Sequence, residues 1–142
     1  MRRATLIVGA LIVAGAAAYA FTTWPMINDV ETGKTPEYPD LQPRSYPQGE
    51  DAVLKAARAA LDKLDRYTFV AAGSGPGGSE IQAVHQTRLL HFKDDVTIRV
   101  KRQGGATRVS IRSHSRVGKG DLGQNARTIR ELQAEMDAQL KR

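Results

Sequence analysis

The chain has 142 residues, of which 41% are hydrophobic and 25% are charged, a composition typical of one globular domain with a targeting segment. It contains no cysteine, so disulfides, thiolate metal sites and a cysteine nucleophile are excluded. The formal net charge is +6, and Asp121 is the only acid between Arg99 and Arg130. This positive second half favours an anionic partner.

The N-terminus begins with Arg2 and Arg3, and an uncharged run over residues 4–21 follows. As a helix, this run would span about 27 Å at roughly 1.5 Å per residue, close to the thickness of the hydrocarbon core of a bilayer. Arginines before such a run keep that end in the cytoplasm and lead to export of the rest. We therefore expect residues 1–24 to form a signal anchor in the bacterial inner membrane, with the N-terminus cytoplasmic and the domain in the periplasm.

A cleaved signal peptide is the alternative, because residues 18–20 read Ala-Tyr-Ala and the chain would then be secreted after cleavage following Ala20. The length of the run and the interfacial position of Trp24 favour an uncleaved anchor. Small residues also recur four positions apart, and they would let a second membrane helix approach closely: Ala10, Ala14 and Ala18.

Residues 25–48 are predicted to form an extended lead-in, because their prolines fix φ and remove backbone donors: Pro36, Pro39, Pro43 and Pro47. The segment would either wrap the domain or act as a stiff spacer from the membrane. A short edge strand is expected over residues 28–31.

Residues 49–142 are predicted to form an α+β domain. A first helix shows apolar residues at helical spacing, namely Val53, Leu54, Ala57, Ala60, Leu61 and Leu64. Strands are expected over residues 67–73 and, from alternation, over 79–90, with a glycine-rich turn between them. Residues 94–115 predict a β-hairpin that turns at Gly104 and Gly105, with valines and isoleucines on one face and arginines on the other.

The last helix is expected over residues 121–140, with an apolar stripe at Leu122, Ala126, Ile129, Leu132, Met136 and Leu140. The order of elements is therefore helix, four strands and helix. Short connections favour an antiparallel meander of about four strands with both helices packed on one face, preceded by the N-terminal transmembrane helix.

Gly118, Gly120 and Gly123 spell G-x-G-x-x-G before the last helix. A dinucleotide site would need a βαβ unit with an acid on a second parallel strand, and only one helix follows these glycines. We interpret them as a sharp turn from strand to helix. Asp121 and Gln124 have the spacing of a capping box at the start of that helix.

Neither a metal site nor a catalytic site is predicted. The histidines and the neighbouring acids have no spacing typical of metal ligands: His85, His91, His114, Asp94 and Asp95. Ser115 follows His114 directly, and adjacent strand residues point to opposite faces, which argues against a Ser-His-Asp triad with Asp121. We therefore expect no cofactor and no enzymatic activity.

A basic surface is predicted on the outer face of the hairpin and the turn after it: Arg99, Lys101, Arg108, Arg112, Arg116 and Lys119. One interpretation is a solvated face that provides solubility. The other is a site for an anionic lipid or a small anion. Nucleic acid is not expected, because the domain lies outside the cytoplasm and the surface has no interleaved aromatic residues for stacking.

Three segments carry a resemblance to a known family. They are "DDVTIRV" at residues 94–100, "RVSIRS" at 108–113, and "SRVGKGDLGQNARTIR" at 115–130. The chain resembles the uncharacterised domain of unknown function 1499, with Thr128 at a position where that family often has arginine. The resemblance implies a bacterial or plastid domain that is often membrane-attached, and it implies no reaction.

These observations predict a membrane-anchored interaction module. Its expected role is that of an accessory or assembly subunit that binds a larger membrane protein complex. The alternative is a binding domain for anionic lipid or a small anion through the arginine-rich sheet face.

Overall fold

The computed structural model describes residues 2–140, without the side chains of residues 2–5, 20 and 21. The predicted start of the signal anchor at Met1 and the predicted end of the α+β domain at residues 141–142 lie outside the described residues. The elements are, in order, α1 (Arg2–Thr23), β1 (Asp29–Glu31), β2 (Arg44–Tyr46), α2 (Glu50–Lys63), β3 (Tyr67–Gly75), β4 (Gly78–Gln86), β5 (Lys93–Gln103), β6 (Ala106–Ser115) and α3 (Gln124–Leu140).

The strands form one antiparallel sheet in the order β1-β6-β5-β4-β3, and β2 pairs with β6 beyond the end of β1. In the central hairpin, Ile98 pairs with Ile111 and Val100 pairs with Val109. Because alternate side chains point to opposite faces, these apolar residues lie together on the inner face and are buried. The predicted α+β class with an antiparallel sheet is confirmed.

The sheet has six strands rather than the predicted four, because the lead-in supplies two strands. The first, β1, confirms the short edge strand expected over residues 28–31, whereas β2 was not predicted. Both strands pair with the edge of β6, and the residues between them bring Leu41 into the core beside Val30 and Tyr46. Each of these strands is three residues long, and prolines, which cannot donate to a ladder, flank β2 directly. The lead-in therefore wraps the domain and does not act as a spacer.

Helices α2 and α3 pack against each other and against the inner face of the sheet. The contact face of α2 is rich in alanine, which allows close approach, and its buried residues are Val53, Ala56, Ala57, Ala60 and Leu61. The apolar residues of α3 cover β6 and β1: Ala126, Ile129, Leu132, Met136 and Leu140. Hydrophobic burial between these two layers stabilises the fold.

Two predicted boundaries are wrong. Strand β4 ends at Gln86, so residues 87–92 form a loop and do not continue the strand. Helix α3 begins at Gln124, so Leu122 lies before the helix at φ +51° and is partly exposed, outside the buried stripe. The helical spacing of Leu122 is thus coincidental.

Helix α1 has exposed side chains at residues 6–19, which include the small residues Ala10, Ala14 and Ala18. Among the described residues, no helix combines the length and the apolar character needed to cross a membrane.

Candidate functional site

Three segments meet at the end of the domain where α1 joins it. They are the junction at residues 24–27, the β4–β5 loop at residues 87–92 and the β6–α3 loop at residues 116–123. The Asn28 side-chain amide donates to the Gly118 carbonyl at 2.6 Å, and the Asp121 N–H donates to the Ile27 carbonyl at 3.1 Å. These bonds fix the chain to the domain within a few residues of the end of α1.

Trp24 and Met26 pack on the same β6–α3 loop. The guanidinium carbon of Arg127 lies 6.0 Å from the centre of the Trp24 ring, at the limit of a cation–π contact. A Cβ added at Gly120 would lie 3.1 Å from the Met26 sulfur, and one added at Gly123 would lie 3.3 Å from the Trp24 indole nitrogen. Glycine at these two positions therefore leaves room for the junction.

An exposed apolar surface, here called the apolar rim, covers this end of the domain. Its members come from all three segments: Trp24, Met26, Leu89, Leu90, Phe92, Val117 and Leu122. Leu89 is 87% exposed and Leu90 is 68% exposed, although both are large apolar side chains. A cleft of about 340 Å³ lies between the β4–β5 loop and the β6–α3 loop, with Phe92 on one side and Leu122 on the other.

Exposed basic side chains flank the apolar rim: Arg88, Lys93, Lys119 and Arg127. Asp121 is the only acid in the two loops, and both of its carboxylate oxygens accept hydrogen bonds from the backbone of the domain. They accept hydrogen bonds from the N–H groups of Gly123 at 2.8 Å and Asn125 at 2.6 Å. This end of the molecule is therefore both apolar and positively charged.

Asp121 and Gln124 take different roles at the start of α3. Asp121 satisfies free N–H groups of the first turn, as an N-terminal cap does. The Gln124 side chain does not return to the Asp121 N–H as in a capping box; it donates to the Thr128 hydroxyl and accepts from Arg127. The turn itself depends on Gly118 and Gly123, which have φ of +88° and +76°.

Half of the predicted basic surface is neutralised by acids of the same chain. Arg99 donates to Glu80 at 3.0 Å and to Glu31 at 3.2 Å. Arg112 and Asp29 form a two-bond pair, in which the Arg112 guanidinium lowers the pKa of the Asp29 carboxyl.

The third pair joins Arg116 to Asp95 at 2.6 Å, and the hydrogen bond from Arg116 lowers the pKa of Asp95. Both side chains are about half exposed, so solvent and salt weaken their attraction. Three of the six predicted cations are thus paired within the chain.

The other three, Lys101, Arg108 and Lys119, are exposed. Lys101 and Arg108 lie directly opposite each other on β5 and β6. They are near the hairpin turn, at the other end of these strands from the β6–α3 loop that contains Lys119. No ion pair within residues 2–140 neutralises Lys101 or Arg108, so they form a small patch of uncompensated charge.

A buried polar cluster lies beneath the start of α3, and no sequence pattern predicted that its members would meet. The Asn125 side chain accepts from the Ser113 hydroxyl at 2.5 Å and donates to the Ser115 hydroxyl at 2.8 Å and to the Asn28 carbonyl at 3.1 Å. It thereby ties α3 to β6 and to the lead-in. Buried polar groups satisfied in this way give a unique packing arrangement.

The histidines are dispersed. His85 is buried and its Nδ1 lies 3.2 Å from the Asp94 carboxylate, whereas His91 is exposed in the β4–β5 loop. His114 lies on the outer face, opposite Asp95 and Asp29. Within the described part of the chain, no group of three or more potential ligands has the geometry to hold a metal ion.

The free edge of β3, here called the β3 edge, is the last notable surface. Its sequence, "YTFVAAGSG", has no charge and no proline, and β3 pairs only with β4. Residues 70–74 are exposed. Along residues 67–75, the described structure shows no hydrogen bond that joins the outer backbone groups of β3 to another segment.

A comparison with known families identifies the chain. The model of a family described as "Protein of unknown function (DUF1499)" matches residues 20–136. The chain belongs to this family. The match to DUF1499 covers the lead-in, the whole sheet and most of α3, and it begins inside α1. No curated protein matches this DUF1499 chain.

Proposed function

We propose that this DUF1499 protein is a membrane-tethered interaction module. It would be an accessory or assembly subunit of a larger membrane complex, without a catalytic role. The tether would be the uncharged run at residues 4–21, with Arg2 and Arg3 on the cytoplasmic side of the bacterial inner membrane and the domain in the periplasm. Secretion after cleavage following Ala20 is the alternative location.

The short junction supports a tethered domain held close to the membrane. Asn28 and Ile27 are bonded to the β6–α3 loop, and β1 begins at Asp29. Because β1 and β2 are part of the sheet, the lead-in adds little reach between α1 and the domain. A partner protein would therefore bind the domain at or near the membrane surface.

The observation that carries the interaction role is the β3 edge. Natural proteins usually blunt an exposed edge strand with charge, proline or a covering segment, since unpaired N–H and C=O groups recruit further strands. At the opposite edge of the sheet, β1 and β2 cover β6. The β3 edge has neither charge nor proline, and an extended segment of a partner protein would add to it as a further strand.

A β-bulge divides the β3 edge into two parts. The register of β3 on β4 shifts between Phe69 and Ala71, so the strand bends at Val70. From Ala71 to Gly75 the pairing is regular, and the side chains are small. This stretch leaves the backbone accessible, and we assign the partner strand to it.

The test compares two alanine-to-lysine variants of the full chain, purified in mild detergent from membranes of its own host. Ala72→Lys places a charge on the β3 edge, and Ala138→Lys places the same charge on the exposed side of α3. We expect a stable partner to co-purify with the wild-type chain and with Ala138→Lys, and to be lost from Ala72→Lys. A clean monomer from wild type, or full retention by a folded Ala72→Lys variant, would contradict the proposal.

The second candidate function is binding of an anionic lipid or a small anion through the outer sheet face. It is favoured by one observation, the uncompensated pair of Lys101 and Arg108, since like charges directly opposite in a sheet repel and an anion would relieve them. Charge reversal of both residues should then abolish binding to anionic vesicles or to phosphate, with Lys55→Glu on α2 as the control. Unchanged binding would remove this face from consideration.

A further inference from the structure

The distribution of exposed apolar side chains is strongly uneven. Among the described residues outside α1, the large apolar side chains that are exposed are Trp24, Met26, Val70, Leu89, Leu90, Phe92, Val117 and Leu122. All but Val70 belong to the apolar rim. Scattered exposed apolar residues are ordinary, but a contiguous group at one end of a domain indicates a contact with protein or membrane.

The apolar rim begins directly after α1. The described side chains of α1 from residue 6 to residue 19 are exposed, and the helix ends at Thr23, directly before Trp24. Trp24 then packs against Gly123, and Met26 against Gly120, within the β6–α3 loop. The exposed side chains of α1 and the apolar rim are therefore close together in the chain, with residues 20–23 between them.

The charges around the apolar rim point to one kind of partner. Arg88 and Lys93 flank the three apolar residues of the β4–β5 loop, and Lys119 and Arg127 flank those of the β6–α3 loop. Apolar residues that enter the acyl boundary, with cations beside them at headgroup level, match an anionic lipid surface. Trp24 has the amphipathic ring that is enriched at that depth.

We propose that the apolar rim rests on the lipid bilayer, with Leu89 and Leu90 inserted at the interface and the flanking cations at the headgroups. The β4–β5 loop and the hairpin turn at Gly104 lie beyond opposite ends of β5, which itself spans about 33 Å at roughly 3.3 Å per residue. The domain thus stands with its sheet strands pointing away from the membrane. This contact goes beyond the proposed tethering by α1 and is independent of it.

The absence of cysteine makes a direct depth measurement feasible. Single-cysteine variants of the full chain carry a spin label at Leu89, Leu90 or Ala14, with Gly105 as the distant control and Val70 as the matched exposed apolar control. The protein is reconstituted into vesicles of phosphatidylethanolamine and phosphatidylglycerol. Collision rates with oxygen, which enters lipid, and with a water-soluble nickel chelate report the depth of each label.

We expect labels at Leu89 and Leu90 to show a several-fold higher ratio of oxygen to nickel collisions than labels at Gly105 and Val70. Replacement of Arg88 and Lys93 by glutamate should lower that ratio in vesicles that contain phosphatidylglycerol. All five labelled positions are exposed, so labelling them removes no core contact.

The outcomes separate the two proposals. If the Ala14 label is buried in lipid while the Leu89 and Leu90 labels match Gly105, the apolar rim does not contact lipid and only the tether survives; a protein partner would then cover the rim. If the Leu89 and Leu90 labels are in lipid while the Ala14 label is aqueous, the rim contact stands and the tether is overturned. If the chain does not float with the vesicles, both proposals are overturned.

Discussion

Tyr67 is the first residue of β3, and its side chain contacts the outer side of α3. Its hydroxyl donates to the Glu131 carboxylate at 2.8 Å, and its ring lies 4.9 Å from that of His85. Burial raises the pKa of Tyr67 well above its ordinary value of about 10, and the hydrogen bond to Glu131 raises it further. The folded chain therefore keeps Tyr67 neutral at a pH where the unfolded chain ionises it.

The first prediction follows from the sign of this shift. Because the folded pKa is raised, the stabilisation is complete below about pH 10 and is lost as pH rises further. Tyr67→Phe should lower the free energy of unfolding at pH 7 by about 1 kcal/mol, through loss of the hydrogen bond. Above pH 10, the free energy of unfolding of the variant should fall less steeply with pH than that of wild type. The two slopes should differ by about 1.4 kcal/mol per pH unit.

Urea unfolding between pH 9 and pH 11 measures both slopes. Tyr19→Phe on the exposed side of α1 is the control and should leave the profile unchanged. Equal slopes for Tyr67→Phe and wild type would show that this hydroxyl does not titrate differently in the folded state.

At the scale of elements, the lead-in is the part most integrated with the rest of the chain. Val30 of β1 is fully buried, and the Thr32 hydroxyl accepts a hydrogen bond from the Ile111 N–H at 3.0 Å. Farther along, Tyr46 of β2 donates to Asp137 of α3 at 2.8 Å. The lead-in thus contacts both the sheet and the last helix.

Val30→Ala should therefore lower the free energy of unfolding by about 2 kcal/mol, because it removes buried methyl groups and leaves a cavity. Glu37→Ala, at an exposed position of the same lead-in, should change it by less than about 0.5 kcal/mol. Denaturant midpoints at constant slope measure the difference. A Val30→Ala variant as stable as Glu37→Ala would mean that the lead-in does not contribute to the folded core.

Periodicity predicted the long elements well, since α2, the β5–β6 hairpin and most of α3 have clear apolar patterns. It did not predict β2, because three residues between prolines show no period, and pairing with β6 depends on long-range contacts. The same limit applies to the basic surface. Alternation placed Arg99 and Arg112 on the outer face, but only the strand order reveals that Glu80 and Asp29 neutralise them.

The apolar rim was missed for a related reason. Leu89 and Leu90 fit an extended alternating strand, and Leu122 fits a helical stripe. Their exposure results from two loops and a junction that are distant in sequence, and these meet only when β4, β5 and β6 are aligned.

At the scale of the whole molecule, the proposed topology places the far hairpin turn in the periplasm. A single cysteine at Gly105 should react with a membrane-impermeant maleimide in cells whose outer membrane alone has been opened, because that turn is exposed and distant from the apolar rim. The extent of labelling should equal that after complete lysis. Labelling that appears only after the inner membrane is broken would place the domain in the cytoplasm.

The pairing of β1 with β6 also has a consequence for biogenesis. Asp29 lies opposite His114, so if the domain is exported N-terminus first, as proposed, β1 must wait for a partner far along the chain. Contacts of such high sequence separation form late. Until β6 has crossed, one sheet edge stays open and Val30 lacks its buried site. Under the proposed export, completion of the fold would be coupled to near-complete translocation, and a stalled chain would display unpaired sheet edges to chaperones on the far side.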